Sequence, residues 1–341
     1  MLVLIRFVPV FVSPLLGWLA LGLPGWGQLV GFGVLFGLVP VLDRVIGLDT
    51  HNEPDAPRPW MRVLPMLFVP AHLAVLVATL TRIAAAGPGL DAARLTLAAG
   101  LSGAVAIVVA HELMHRSSAL EARLAEVLMA SVSYTHFCVE HVHGHHKRVA
   151  TPEDPATARH GESLYAFFPR TLVGSWRSAW AIEAARASRA GRGPWSPHNR
   201  LVLYLLAQVG VLCAVGVAFG PLGLAAFVGQ SVVAVLLLET INYIEHYGLV
   251  RAETSPGRYE RVRPEHSWNA SHAVSNALLL SLARHSDHHA YVQRPYDALR
   301  HHEGAPQLPH GYATMVLVAM VPPLWFRMMG GEPGRGRVTP G

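Results

Sequence analysis

AARLTLAAGLSGAVAIVVAHELMH, residues 92–115, decides how the chain reads. Up to Ala110 its only charged residue is Arg94, and it falls just short of the roughly 20 residues that cross a bilayer. The helical pattern then continues through HELMH, which sets His111 and His115 four apart and so on one helix face. A membrane helix therefore ends by presenting two imidazoles.

Five further apolar segments approach spanning length: 2–23, 28–48, 61–85, 199–219 and 221–242. Composition agrees, with 52% apolar and 14% charged residues in a chain of 341, against about 25% charged in a soluble domain. The first segment lacks a small-residue cleavage site and runs straight into another span, so it is not a signal peptide. Pro24-Gly25 and Gly220-Pro221 break neighbouring segments into hairpins. The expected fold is an all-α integral membrane protein with six transmembrane helices. Residues 1–329 form a single membrane-embedded unit and 330–341 a flexible tail. The stretch 311–329, with its paired prolines, reads as an interfacial helix and not a seventh span.

The net charge of +5 comes from 26 Arg and one Lys, Lys147. These are scattered along loops without interleaved aromatics, which argues against nucleic acid and reports topology instead. Only Arg82 and Arg94 lie near the turns at 23–27, 87–91 and 220–221, whereas 111–199 and 243–341 carry 10 basic residues each. Both termini and both long polar segments are therefore expected in the cytoplasm. Two cysteines, Cys138 and Cys213, make neither a disulfide framework nor a CxxC site.

That orientation gathers the dense part of 20 histidines on one membrane face. HVHGHH (141–146) repeats the i,i+4 spacing with His141 and His145, with His146 adjacent. HSDHH (285–289) sets His285 and His288 on one helical face, with His289 beside them. Eight histidines in three such clusters exceed any single tetrahedral site. Two metals with four or five nitrogens each fit the count, although imidazole suits Fe, Zn, Cu and Ni alike. HELMH alone also fits an intramembrane zinc protease with Glu112 as base, and histidine-rich helices fit a metal transporter. The first leaves the other clusters unexplained, and the second would place histidines along a pore instead of at helix ends.

HELMHR (111–116), EHVHGHHKRVATPEDPATAR (140–159), NYIEHYGL (242–249) and SWNASHAVSNALLLSLARHSDHHA (267–290) closely resemble the motifs of bacterial alkane 1-monooxygenases. That family lies within the membrane fatty-acid desaturases and hydroxylases. The similarity extends from FGLVPVLDRVIG (36–47) to LPHGYATM (308–315). It implies a non-haem di-iron centre held by His111, His115, His141, His145, His146, His246, His285, His288 and His289, with His246 supplied by the resemblance alone. It also implies O2 as oxidant, hydroxylation of an alkane's terminal methyl, and electrons from a rubredoxin reduced by rubredoxin reductase. The location implied is the bacterial inner membrane, in contact with membrane lipid. A fatty-acid desaturase or an alkyl-aromatic hydroxylase of the same iron class is the alternative. Arg116 stands where the family has Lys, the family's polar N-terminal extension is missing, and the lack of CxxCG pairs makes rubredoxin a separate chain.

Glu112, Glu140, Glu245 and Asp287 each adjoin a ligand position and point about 100° away from it on a helix. They are expected to accept hydrogen bonds from ligand imidazoles, with His272 as a further supporting group. Asp154 and Asp43 read as loop or helix-end caps. His136, His143 and His266 lie near motifs, and His72 reads as a satisfied core histidine. Gly33, Phe36 and Gly37 are expected along a substrate route opening from the bilayer.

Overall fold

The structure is a computed structural model and describes residues 6–53 and 58–331. Most of the expected tail, 332–341, and the first residues of the expected first span lie outside the described residues. A 3-10 turn at Val8–Phe11 leads into α1 (Val12–Gly22), together shorter than a full span. Among the described residues, four segments are long and apolar enough to cross a membrane: α2 (Gly25–Ile46), α3 (Pro59–Ala86), α4 (Leu90–Met114) and Arg200–His246.

The last of these has 47 residues, about 70 Å of helix against a hydrocarbon core of about 30 Å. It does not run straight. Gly220 has φ 69 and ψ −174, a conformation essentially restricted to glycine, and divides the run into α8 (200–219) and α9 (221–246). The halves fold back on each other: Gln208 Nε2 donates to Ser133 Oγ (3.0 Å), while Gln230 Nε2 donates to the Ser131 carbonyl (2.8 Å).

Between α4 and α8 lie α5 (Ala119–Ser131), α6 (137–148) and α7 (Leu164–Arg189). α7 was not foreseen within the long polar segment. Its many polar and charged residues mask a periodic buried stripe, with Leu164, Phe167, Thr171, Ser175, Ala179, Glu183 and Ala187 turned inward. After α9 the chain makes an antiparallel hairpin of β1 (Glu253–Ser255) and β2 (Arg258–Tyr259), a small departure from the all-α expectation. α10 (Ala273–Leu278) and α11 (His285–Ala290) follow. The stretch read as one interfacial helix is two short ones, α12 (Tyr312–Ala319) and α13 (Pro322–Met329), the second starting at the paired prolines. Tyr312, Met315, Val316 and Trp325 are buried against Tyr243 and Tyr247 of the α9 end, so this segment closes the core.

Long-range polar ties fix the cap to the spans. Asp43, near the end of α2 and buried, accepts from the backbone N–H groups of Val274 (3.1 Å) and Ser275 (3.0 Å). It is a helix cap as expected, but of α10, 231 residues away. The buried Arg284 guanidinium donates to the carbonyls of Leu299, Asp49 and His51, anchoring the start of α11. His72 is satisfied on both sides by Ser102 and Ser131, each at 3.3 Å, as a core histidine should be.

Because an added Cβ at Gly220 meets nothing within 4 Å, substitution there reports backbone strain alone. Gly220→Val should destabilise the protein by about 1–3 kcal/mol, read as a lowered Tm in detergent. Gly210→Ala, equally open but inside α8, should leave Tm unchanged or raise it.

Candidate metal centre

α4 brings His111 and His115, α6 brings His141, His145 and His146, α9 ends on His246, and α11 brings His285, His288 and His289. All nine are buried and fall into two groups. His111, His115, His141, His146 and His288 form one; His145, His246, His285 and His289 form the other.

The spacing left this division open, and it does not follow a regular helical period. In a regular α-helix His141 and His145 share a face, while His146, five residues on, points about 140° away. α6 widens into a π turn at His141–His145, and the His146 N–H bonds back to the His141 carbonyl. A turn closed by an i→i+5 bond returns the fifth residue to the starting side, so His141 and His146 share one group and His145 serves the other. Gly144 permits this: a Cβ there would collide with the Glu140 carboxylate and the Arg148 guanidinium. Glu140 folds over the glycine to accept from the His145 backbone N–H at 3.2 Å. In α11, His285 and His289 share a group and His288 faces the other. Left-handed Leu280 (φ 51) and Ser281 (φ 55) precede α11, strain of the kind that collects at functional sites.

The imidazoles turn their Nε2 atoms toward one another. His141 lies 3.1 Å from His115 and 3.0 Å from His146, with His288 3.1 Å from His146. In the other group His285 is 3.2 Å from His246 and 2.9 Å from His289. His111 Nε2 and His145 Nε2 are buried without a partner. Such atoms are costly unless satisfied. Metal–imidazole bonds of about 2.1 Å separate two nitrogens by about 3.0 Å at a right angle and about 3.4 Å at the tetrahedral angle. The observed 2.9–3.2 Å is the spacing of nitrogens that share a metal, and the five histidines of the first group exceed the four ligands of a tetrahedral zinc site. The residues present fit two metal ions.

Burial and the neighbouring imidazoles hold His141, His146, His285, His288 and His289 well below the ordinary histidine pKa, neutral at pH 7 with lone pairs free to ligate. His145 is the exception. Burial pulls it down too, but the Asp154 carboxylate more than offsets this. Asp154 accepts from His145 Nδ1 at 2.9 Å and from Thr157 Oγ1 at 2.6 Å, which fixes the tautomer and leaves Nε2 for a metal. Read from sequence as a loop cap, Asp154 does cap its loop through the Ala156 N–H and also orients a ligand-group histidine. No sequence signal beyond its place in TPEDP pointed to this, since the two residues meet only through the turn after α6.

The other acids have different partners. Glu112 pairs with Arg116 (2.9 Å), and Glu140 pairs with Arg148 (2.9 Å). Burial and then the Asp154 charge push the Glu140 carboxyl up to about 7. Asp287 is engaged by Arg294, His302 (2.6 Å) and the Arg300 N–H (3.0 Å). Glu245 turns inward. Its Oε2 lies 3.2 Å from His285 Nε2 while its Oε1 accepts from the Tyr312 hydroxyl at 2.7 Å. His272 pairs by backbone with Leu48 at the end of α2 and lies outside both groups. His136, His143 and His266 are also outside them.

An apolar cavity opens onto this site. Phe36, Leu101, Val105, Leu238 and Ile241 line it, and His111, His141 and His285 close one end with Glu245 and Tyr312. Gly33 and Gly37 are exposed on α2 and outside the lining, where Phe36 and Leu35 stand instead.

The alkane 1-monooxygenase 2 of Pseudomonas aeruginosa is 41% identical over 341 aligned positions, covering 95% of this chain and 89% of that relative. The chain belongs to the alkane 1-monooxygenase family. Within it, the alkane 1-monooxygenase of Acinetobacter baylyi is 41% identical, covering 87% of this chain and 74% of its own length. The wider fatty acid desaturase family matches residues 90–319, which hold all nine histidines. The xylene/toluene monooxygenase hydroxylase component of Pseudomonas putida is 33% identical over 68% of this chain and 61% of its own length.

Removing the Asp154 carboxylate should weaken metal retention about 10–100-fold. Metal content after a chelator titration of Asp154→Ala measures this, and Asp154→Asn, whose carbonyl can still accept from His145 Nδ1, should fall between that variant and the parent.

Proposed function

We propose that this chain is a non-haem di-iron monooxygenase that hydroxylates the terminal methyl of alkanes. The overall reaction consumes O2, two electrons and two protons per alkane and yields a primary alcohol and water. The electrons come from a separate rubredoxin and its reductase. The observation that carries the reading is the cavity whose walls are apolar and whose far end is made of histidines from both groups.

An unactivated C–H bond offers no acidic proton and no carbonyl to polarise, so the oxidising power must come from the bound iron and dioxygen. The protein's own part is binding, aiming and drying. Leu101, Val105, Leu238 and Ile241 give an alkane an apolar bed, and burial of the ligand-group imidazoles keeps bulk water from the end where the methyl arrives. Tyr312 holds the Glu245 carboxylate beside His285, and all three residues line the cavity. Relatives named alkane 1-monooxygenase across most of the chain support the substrate class. The xylene/toluene relative makes a methyl on an aromatic ring the second reading.

The same reading includes six crossings, with α8 and α9 counted separately, and placement in the bacterial inner membrane. There the metal site and both termini face the cytoplasm, where the rubredoxin is found.

Membranes carrying the protein, supplied with rubredoxin, reductase and NADH, should convert alkanes to 1-alkanols, identified by mass spectrometry. A desaturated fatty acid with no alcohol from any alkane would overturn the proposal. A second cavity between α1, α2 and α4 shares Leu35, Leu101, Val105 and Leu279 with the first. Leu101→Trp should close that junction and shift product formation toward shorter alkanes.

A further inference from the structure

α7 lies at a definite depth. Arg200 is 20 residues before Gly220 and Glu239 is 19 after it, so each stands about 29 Å from the turn, close to the thickness of the hydrocarbon core. α7 is tied to both. The Thr171 hydroxyl donates to Glu239 Oε2 at 2.8 Å, and Glu183 Oε2 accepts from the Arg200 backbone N–H at 2.8 Å. Residues 171–183 therefore run level with the boundary between hydrocarbon and headgroups. His246, 26 residues beyond Gly220, stands about 10 Å further out.

The outer face of α7 is unusual for a helix beside a polar cap. Val173 is 50% exposed and Trp176 40%, and Trp195 in the following loop is 72% exposed. Trp176 stacks on Trp180 at 5.7 Å, and Trp195 leans on Trp180 at 4.5 Å. Arg177, next to Trp176 on α7, and Arg192, in the loop just before Trp195, are exposed, and among the described residues neither has an ion-pair partner. Arg186, by contrast, is held by Glu183 and the His198 carbonyl. Tryptophan prefers the membrane–water interface, and unpaired arginine at that depth attracts anionic headgroups.

We propose that the outer face of α7, with Trp176, Trp180 and Trp195 and the guanidinium groups of Arg177 and Arg192, is a binding surface for anionic phospholipid in the leaflet facing the metal site. The indoles seat at the carbonyl level of the lipid and the arginines take its phosphate. The inference rests on the depth of α7 and is independent of the reaction catalysed.

The full chain, reconstituted in phosphatidylcholine bilayers, is titrated with brominated phosphatidylglycerol or brominated phosphatidylcholine, and tryptophan quenching is followed. The quenching lost in Trp176→Phe/Trp195→Phe identifies the signal from this face. That signal should show about a tenfold preference for the anionic lipid. Arg177→Gln/Arg192→Gln should abolish the preference with Tm unchanged, and Arg258→Gln/Arg261→Gln, which removes exposed arginines elsewhere, should keep it. If the double variant fails to fold, Arg177→Gln and Arg192→Gln singly should each reduce it. Equal quenching by both lipids would overturn the proposal. So would a preference untouched by the arginine substitutions, or a double variant that keeps it and instead raises KM for the electron-donor protein.

Discussion

Nine buried imidazoles facing one another set the terms for the rest of the molecule. Neutral nitrogens at 2.9–3.2 Å can satisfy only part of their hydrogen-bonding capacity among themselves, and His111 and His145 retain Nε2 atoms with no partner at all. In a medium of low dielectric, unmet polar groups are expensive, so the protein alone is an incomplete structure. A metal ion in each histidine group would complete it. Four segments far apart in sequence must then meet at one place, and the buried ties of Asp43 to α10 and of Arg284 to the loop after α2 hold them there.

The depth of the site follows from helix length. α9 outruns α8 at the end away from Gly220, carrying His246 beyond the level where α8 begins. On the proposed six-crossing arrangement the histidines stand just outside the hydrocarbon layer while the cavity, lined by Leu101, Val105, Leu238 and Ile241, lies within it. An apolar molecule dissolved in the bilayer would then reach the histidines without crossing water, and α7 would lie along the boundary between the two zones.

Much of this was legible in the sequence because histidine spacing and apolar run length are local signals. The end of α4 in HELMH, the break at Gly220 and the satisfied state of His72 were readable without coordinates. What was hidden depends on a change of helical pitch or on distant chain segments. The π turn at His141–His145, set by Gly144 and Glu140, alters which histidines share a group, and a fixed 3.6-residue period cannot reveal it. Asp154 reaches His145 only through the bend after α6. Glu245 was expected beside a ligand-position imidazole, but not the Tyr312 hydroxyl, 67 residues away, that holds it 3.2 Å from His285 Nε2. α7 escaped notice because its buried stripe includes Thr171, Ser175 and Glu183, polar residues that find partners only in the folded protein.

The proposed function requires that the two histidine groups hold two irons. Metal analysis of the purified, active protein, combined with Mössbauer spectroscopy, tests this most directly. About two irons per chain in nitrogen-rich environments are expected. A single zinc per chain, with iron absent from active protein, would contradict it.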